Sequence, residues 1–118
     1  MLRLSYLILF FGLIVGLRAQ DAQGVYAHVD EKPVPTTTAR PEYPYELKRQ
    51  GIEGIVAVSC VIDADGNVTD AEVKKSSNDG FNKAAIEAIN KWKFKPAKVG
   101  GKPVKCRVTI PFRFNLEE

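Results

Sequence analysis

Few side chains in this 118-residue chain belong to the types that do covalent or metal chemistry, and their spacing decides how much they can do. His28 is the only histidine. A zinc site needs several nitrogen or sulfur ligands together, and a nucleophile needs a base within reach. His28 alone supplies neither, and Ser59 has no histidine near it in sequence. Cys60 and Cys106 are too far apart for a Cys-x-x-Cys redox pair. Asp63-Ala64-Asp65-Gly66-Asn67 begins like a calcium loop but lacks the remaining oxygen ligands and the distal glutamate. Its Asp-Gly pair reads as a hairpin turn instead. The glycines at 51, 54, 66, 80, 100 and 101 each fit a turn or a helix end, so no phosphate loop emerges. Lys91, Lys93, Lys95 and Lys98 surround Trp92 and read as a solvated helix end, where cations also suit the helix dipole. No enzyme, no cofactor and no metal site is expected.

The chemistry that remains is that of the backbone. In Lys102–Phe114, KPVKCRVTIPFRF, Val104, Cys106, Val108, Ile110, Phe112 and Phe114 are apolar at every second position, with Lys105, Arg107, Thr109 and Arg113 between them. This is a strand with one dry face and one basic face. Pro111 has no N–H to give to a ladder, which predicts an edge strand. Such an edge either closes a small sheet or offers its free backbone groups to an extended peptide.

The elements that must position this strand follow from the same kind of reading. Pro44 suits a first helical position and Gly51 a stop, predicting a short helix over 44–50 with Leu47 inward. Val56, Val58, Cys60 and Ile62 alternate in a strand over 55–63. After the Asp-Gly turn a second strand is expected over 69–75, with Ala71 and Val73 inward. Phe81, Ala84, Ala85, Ala88, Ile89 and Trp92 form a helical stripe, placing a longer helix at 81–91 behind a cap at Asn78 or Asp79. The expected fold is α+β in the order α-β-β-α-β. A three-stranded antiparallel or mixed sheet, with strands in the spatial order second, first, third, packs against two helices.

Upstream, Met1-Leu2-Arg3, the apolar run over 4–17 and Arg18-Ala19 read as a secretory leader over 1–19, cleaved after Ala19. The alternative is an uncleaved anchor, although fourteen residues of helix rise only about 21 Å against a hydrocarbon core of ~30 Å. Residues 20–39 carry Pro33 and Pro35 without apolar periodicity and are expected to be an extended linker, leaving 40–118 as the folded domain. Arg3 and Arg18 leave with the leader, so 17 basic residues become 15 against 14 acidic ones, a net charge of +1. That argues against a nucleic-acid partner.

From Arg40 onward the chain resembles the C-terminal domain of the TonB family of energy transducers. The resemblance rests on Tyr43-Pro44, Gly51-Ile-Glu-Gly54, Val56-x-Val58 and the Asp65-Gly66-Asn67-Val68 turn. It continues through Ala84-Ala85, Ile89-Asn-Lys-Trp92-Lys-Phe94-Lys-Pro96, Gly101-Lys-Pro-Val104 and Ile110-Pro-Phe112-Arg-Phe114. It implies a periplasmic domain that binds the TonB box of outer-membrane transporters by strand addition. Energy-coupled uptake of siderophores, cobalamin or sugars would follow, with an ExbB/ExbD-type motor if the chain is anchored in the inner membrane. By the same resemblance the peptide would meet Arg40, Pro41, Glu42 and Tyr43, and Val104, Lys105, Arg107, Val108, Thr109 and Arg113. Arg40 stands where the best-known members resemble one another in a glutamine, and the leader-like segment lacks the histidine of the family's anchor. The alternative is a stand-alone secreted adaptor of the same fold that transmits no force. Pairing of two copies through the edge strand is open. Cys60 and Cys106 fall on the core faces of strands expected to be antiparallel neighbours and to bring them opposite one another, as a disulfide or as two small buried hydrophobes.

Overall fold

The computed structural model describes residues 20–117, and the expected leader lies outside them. Seven strands and two α-helices follow in the order β1 (Val25–Tyr26), β2 (Val34–Thr37), α1 (Tyr45–Arg49), β3 (Gly54–Ile62), β4 (Val68–Ser76), α2 (Asn82–Ile89), β5 (Lys93–Lys95), β6 (Ala97–Val99) and β7 (Lys102–Phe114). The expected α-β-β-α-β unit is present as α1, β3, β4, α2 and β7. Its strands lie in the order β4-β3-β7, with β1 added outside β7.

β3 is central because it is the strand most able to lose water on both faces. Val56, Val58, Cys60 and Ile62 on one face are fully buried, and Ser59 and Val61 on the other are almost so. β7 runs antiparallel to it without a break from Gly54↔Phe114 to Ile62↔Cys106. β4 is less regular. Its pairing with β3 shifts between Ser59 and Val61, where Asp70 takes a left-handed φ of 52°. The extra residue lets Val68 and Ala71, an odd number of positions apart, both pack against the core.

The β3–β4 hairpin is closed by side-chain chemistry within its own turn. The Asp63 Oδ1 accepts the N–H groups of Asp65 and Asn67 at 2.9 and 2.8 Å. Gly66, at φ 87°, could not be replaced without collision, since a Cβ there would stand 1.9 Å from the Phe94 carbonyl oxygen. That close approach lets the Gly66 carbonyl accept the Phe94 N–H and ties β5 to the turn.

α2 begins through a 3-10 turn at Asp79–Phe81, with the Asn78 side chain accepting the Gly80 N–H. It lays Ala85, Ala88 and Ile89 on the sheet. Phe81 and Phe114 stack at 4.3 Å, and Tyr43 meets both edge-on at 5.6 and 5.7 Å. The buried Phe81 and Phe114 each contribute about 1.5–3 kcal/mol by area alone, and with the half-buried Tyr43 they fix the C-terminal end of β7 against α2. α1 is only five residues, buries none of them fully, and stops at Gly51.

The segment expected as a linker, 20–39, is extended as its prolines suggest, yet it is bonded to the domain at several points. β1 pairs parallel with β7, Asp30 and Glu31 donate to the Lys98 carbonyl, and β2 pairs antiparallel with β5. Ala39 then accepts the Trp92 Nε1–H at 2.9 Å. The expected helix end around Lys93–Lys98 is instead the two short strands β5 and β6. The helix has already ended at Ile89, Pro96 lies between the two strands, and the lysines alternate outward from Phe94 and Ala97.

Candidate functional site

β7 presents its outer edge at the side of the sheet away from β3. Its ladder with β3 continues through Ala57↔Pro111. The missing proline donor therefore belongs to the outer side, where no bond to β3 is lost. Backbone groups point the same way at every second residue. The N–H and C=O groups of Arg107, Thr109 and Arg113 thus face outward too. Among the described residues no strand pairs with this side from Arg107 to Phe114. At ~3.3 Å per residue the eight positions offer roughly 26 Å of edge.

The earlier part of β7, where peptide contact was expected from Val104 onward, already has strand partners within the chain. Val104 pairs with Ala97 of β6, and Lys105 pairs with Val25 of β1. Val108 is half-buried and packs on the core opposite Cys60, and its backbone groups face β3, so it offers the outer edge neither side chain nor backbone bonds. Lys105, Arg107, Thr109 and Arg113 are exposed on the outer face, as their alternation predicts.

At the far end of the edge lies a groove of about 400 Å³ lined by Arg40, Pro41, Tyr43, Lys48 and residues 113–117. Three of the four expected upstream residues are thus brought beside Arg113. Glu42 is not: it lines a separate hollow with Pro44, Tyr45, Lys83 and Glu87. Tyr43 is held by its rings and by its hydroxyl, which donates to the Ile52 carbonyl. Burial raises the phenol's pKa, with Glu53 adding to the effect. Leu116 N–H donates to Glu53 Oε2 at 2.9 Å and folds the last residues toward the groove.

A second hollow, of about 480 Å³, closes the near end and is lined by residues 20, 21 and 25–27 with Arg107 and Thr109. Asp21 Oδ1 accepts the N–H groups of Gln23 and Val25 at 2.8 and 3.0 Å. Those two bonds hold its carboxyl below the usual range, and the charges of Arg107 and Lys105 add to them. Sequence reasoning missed this turn. Its signal was present: Asp21 and Gly24 frame a turn, and Val25-Tyr26 is a β-branched and aromatic pair directly after it.

The two cysteines are not directly opposite. Cys60 faces Val108, and Cys106 faces Ile62, so they are diagonal on the same face. Both are free and buried, and burial pushes the Cys60 thiol up to about 11 and raises Cys106 as well. Among the described residues no group of three histidine, cysteine or acidic side chains could hold a metal, and no helix is long and apolar enough to cross a membrane. What the site can do is hydrogen-bond an extended backbone along a basic edge.

Residues 39–116 match the family described as the C-terminal domain of the Gram-negative bacterial TonB protein. The TonB protein of Vibrio cholerae is 38% identical over 90 residues, covering 75% of this chain and 37% of that protein. That of Xanthomonas campestris is 42% identical over 77 residues, covering 64% and 34%. The solution NMR structure of the Pseudomonas aeruginosa TonB C-terminal domain is similar with a TM-score of 0.63 at 34% identity, over 75% of this chain and 91% of that one. The Helicobacter pylori TonB C-terminal domain is similar with a TM-score of 0.51 at 41% identity, over 66% and 71%. The chain thus spans about a third of the length of these full-length relatives.

Proposed function

We propose, from the premise that this chain belongs to the TonB family, that its domain binds the TonB box of outer-membrane transporters by strand addition to the outer edge of β7. The observation that carries this reading is the unpaired stretch Arg107–Phe114, which ends at the groove between Arg40, Pro41, Tyr43 and Arg113. The family transduces energy rather than catalysing a reaction. Here the peptide would gain backbone bonds from the Arg107 carbonyl and from Thr109 and Arg113, and Arg40 and Arg113 would favour acidic side chains at the groove end. Such a domain works in the periplasm. Coupled to an ExbB/ExbD-type motor through an inner-membrane anchor, it would contribute to uptake of siderophores, cobalamin or sugars.

The test is a calorimetric titration with a synthetic TonB-box peptide, repeated on Thr109→Pro. Thr109 shares Pro111's orientation, so the substitution deletes an outward donor and leaves the β3 ladder intact, whereas a proline at Val108 would break that ladder. Loss of the bond and crowding by the ring should weaken binding about tenfold or more. Equal affinity for both proteins, with the variant's circular dichroism unchanged, would remove strand addition at this edge.

A further inference from the structure

The outer edge of β7 already holds a strand of the chain itself, just before the lane proposed for the peptide. β1 lies parallel to β7 on its outer side, with Val25 opposite Lys105 and Tyr26 opposite Cys106. It is immediately adjacent to the free stretch that begins at Arg107. It is also no loose contact. Val25 is only 7% exposed, and the Asp21 N–H donates to the Val25 carbonyl at 2.8 Å while Asp21 Oδ1 caps the turn. Asp21 lines the same hollow as Arg107, at the junction between the occupied and the free edge, and the charges of Arg107 and Lys105 act on its carboxyl.

We infer that residues 20–27 are a resident edge strand, an internal occupant that an incoming extended peptide displaces in order to use the whole outer edge of β7. This rests on the strand-addition reading above. Three features carry it. β1 contributes two ladder positions, whereas a peptide aligned with 105–114 could use up to ten. Its turn supplies its own hydrogen bonds, so on leaving the edge it takes no unsatisfied Asp21 or Val25 group with it. Its anchor points further along, at Asp30 and Glu31 on Lys98, lie outside the lane and stay in place when β1 lifts. The tethered strand therefore acts as a competitor at high effective concentration, and the apparent affinity for a peptide that extends over Lys105 and Cys106 is reduced to the fraction of chains with that part of the edge free. The complementary partner is an extended segment carrying an acidic side chain, which would take over Asp21's place against Lys105 and Arg107.

The full chain is compared with Tyr26→Pro, which removes a β1 donor outside the core, and with Asp21→Ala, which removes the turn's acceptor. Both are titrated with the same synthetic TonB-box peptide, and amide hydrogen exchange is followed with and without it. The expected result is tighter binding by both variants, about tenfold for Tyr26→Pro if two ladder bonds are released. In the unaltered chain the peptide should also speed exchange at Val25 and Tyr26. Equal or weaker binding by both variants, with Val25 and Tyr26 still protected in the complex, overturns the resident-strand inference and leaves strand addition standing. Absence of binding to the chain and to both variants overturns both.

Discussion

Cys60 and Cys106 show how far single residues could be read. Alternation placed both on the core face, and both are buried there. Their partners were not legible, because register depends on hairpin and crossover lengths rather than on the strand's own pattern. The diagonal they occupy separates Cα atoms by roughly 7–8 Å, beyond the ~6.8 Å that a disulfide tolerates. Unfolding the unreduced protein should therefore release two reactive thiols per chain, with neither labelled quickly while it is folded. Cys60 also carries a pH signature. Its folded pKa of about 11 lies above the ordinary 9.0, because burial disfavours the thiolate. The fold prefers the neutral thiol, so this contribution is complete below about pH 9 and is lost as pH rises to about 11. Cys60→Ala should cost about 1 kcal/mol near pH 7 through lost packing. Urea midpoints of the two proteins should converge between pH 9 and 11. Curves that stay parallel across that window would place the thiol in a wetter site than its burial indicates.

At the scale of elements, the bounds of β7 were readable because its alternation is unbroken for thirteen residues, and Lys102–Phe114 is the strand found. β3 and β4 were each placed to within a residue or so, while the bulge at Asp70 was not foreseen, since nothing local distinguishes an extra residue from a regular one. Pro111 was the informative position. It marks the edge, and it also limits it. An open edge of eight residues is a template for a second copy, and a missing donor at its centre interrupts any ladder formed there. Pro111→Thr restores the donor without adding bulk to the core, since residue 111 points to solvent. Sedimentation should then show self-association strengthened about tenfold by the added bonds. The same substitution should also raise affinity for an added peptide strand. A variant that sediments as the parent does at every concentration would mean that Pro111 does not protect this edge.

The whole molecule is a β-β-α-β core wrapped by the strap of residues 20–43. The core was legible because each of its elements buries its own apolar stripe. The strap was not, because Thr36, Thr37 and Thr38, Pro33 and Pro35 bury almost nothing and are held by backbone bonds whose partners lie about sixty residues away. The resulting energies differ in kind. The core rests on Phe81, Phe112, Phe114 and the β3 valines, all at least 96% buried. Apart from Val25 and Tyr43, which pack inward, the strap rests on hydrogen bonds with water near at hand, each contributing about 0.5–1.5 kcal/mol net. Local opening should therefore release the strap before the core unfolds. Trp92 reports on this directly, being the only tryptophan and donating to Ala39 across the boundary. In a urea series, Trp92 fluorescence should change at lower concentration than the far-ultraviolet signal of the sheet. Amides of Glu31 and Lys98 should exchange at low opening free energies, with those of Val58 and Cys60 exchanging only by global unfolding. Trp92→Phe removes the indole donor while keeping an aromatic against Phe112, and should advance strap exchange severalfold with little effect on the core amides. If strap and core amides exchange together in both proteins, the two parts unfold as one cooperative unit. A pull on the N-terminal side would then reach β7 through the intact fold rather than through a strap that yields first.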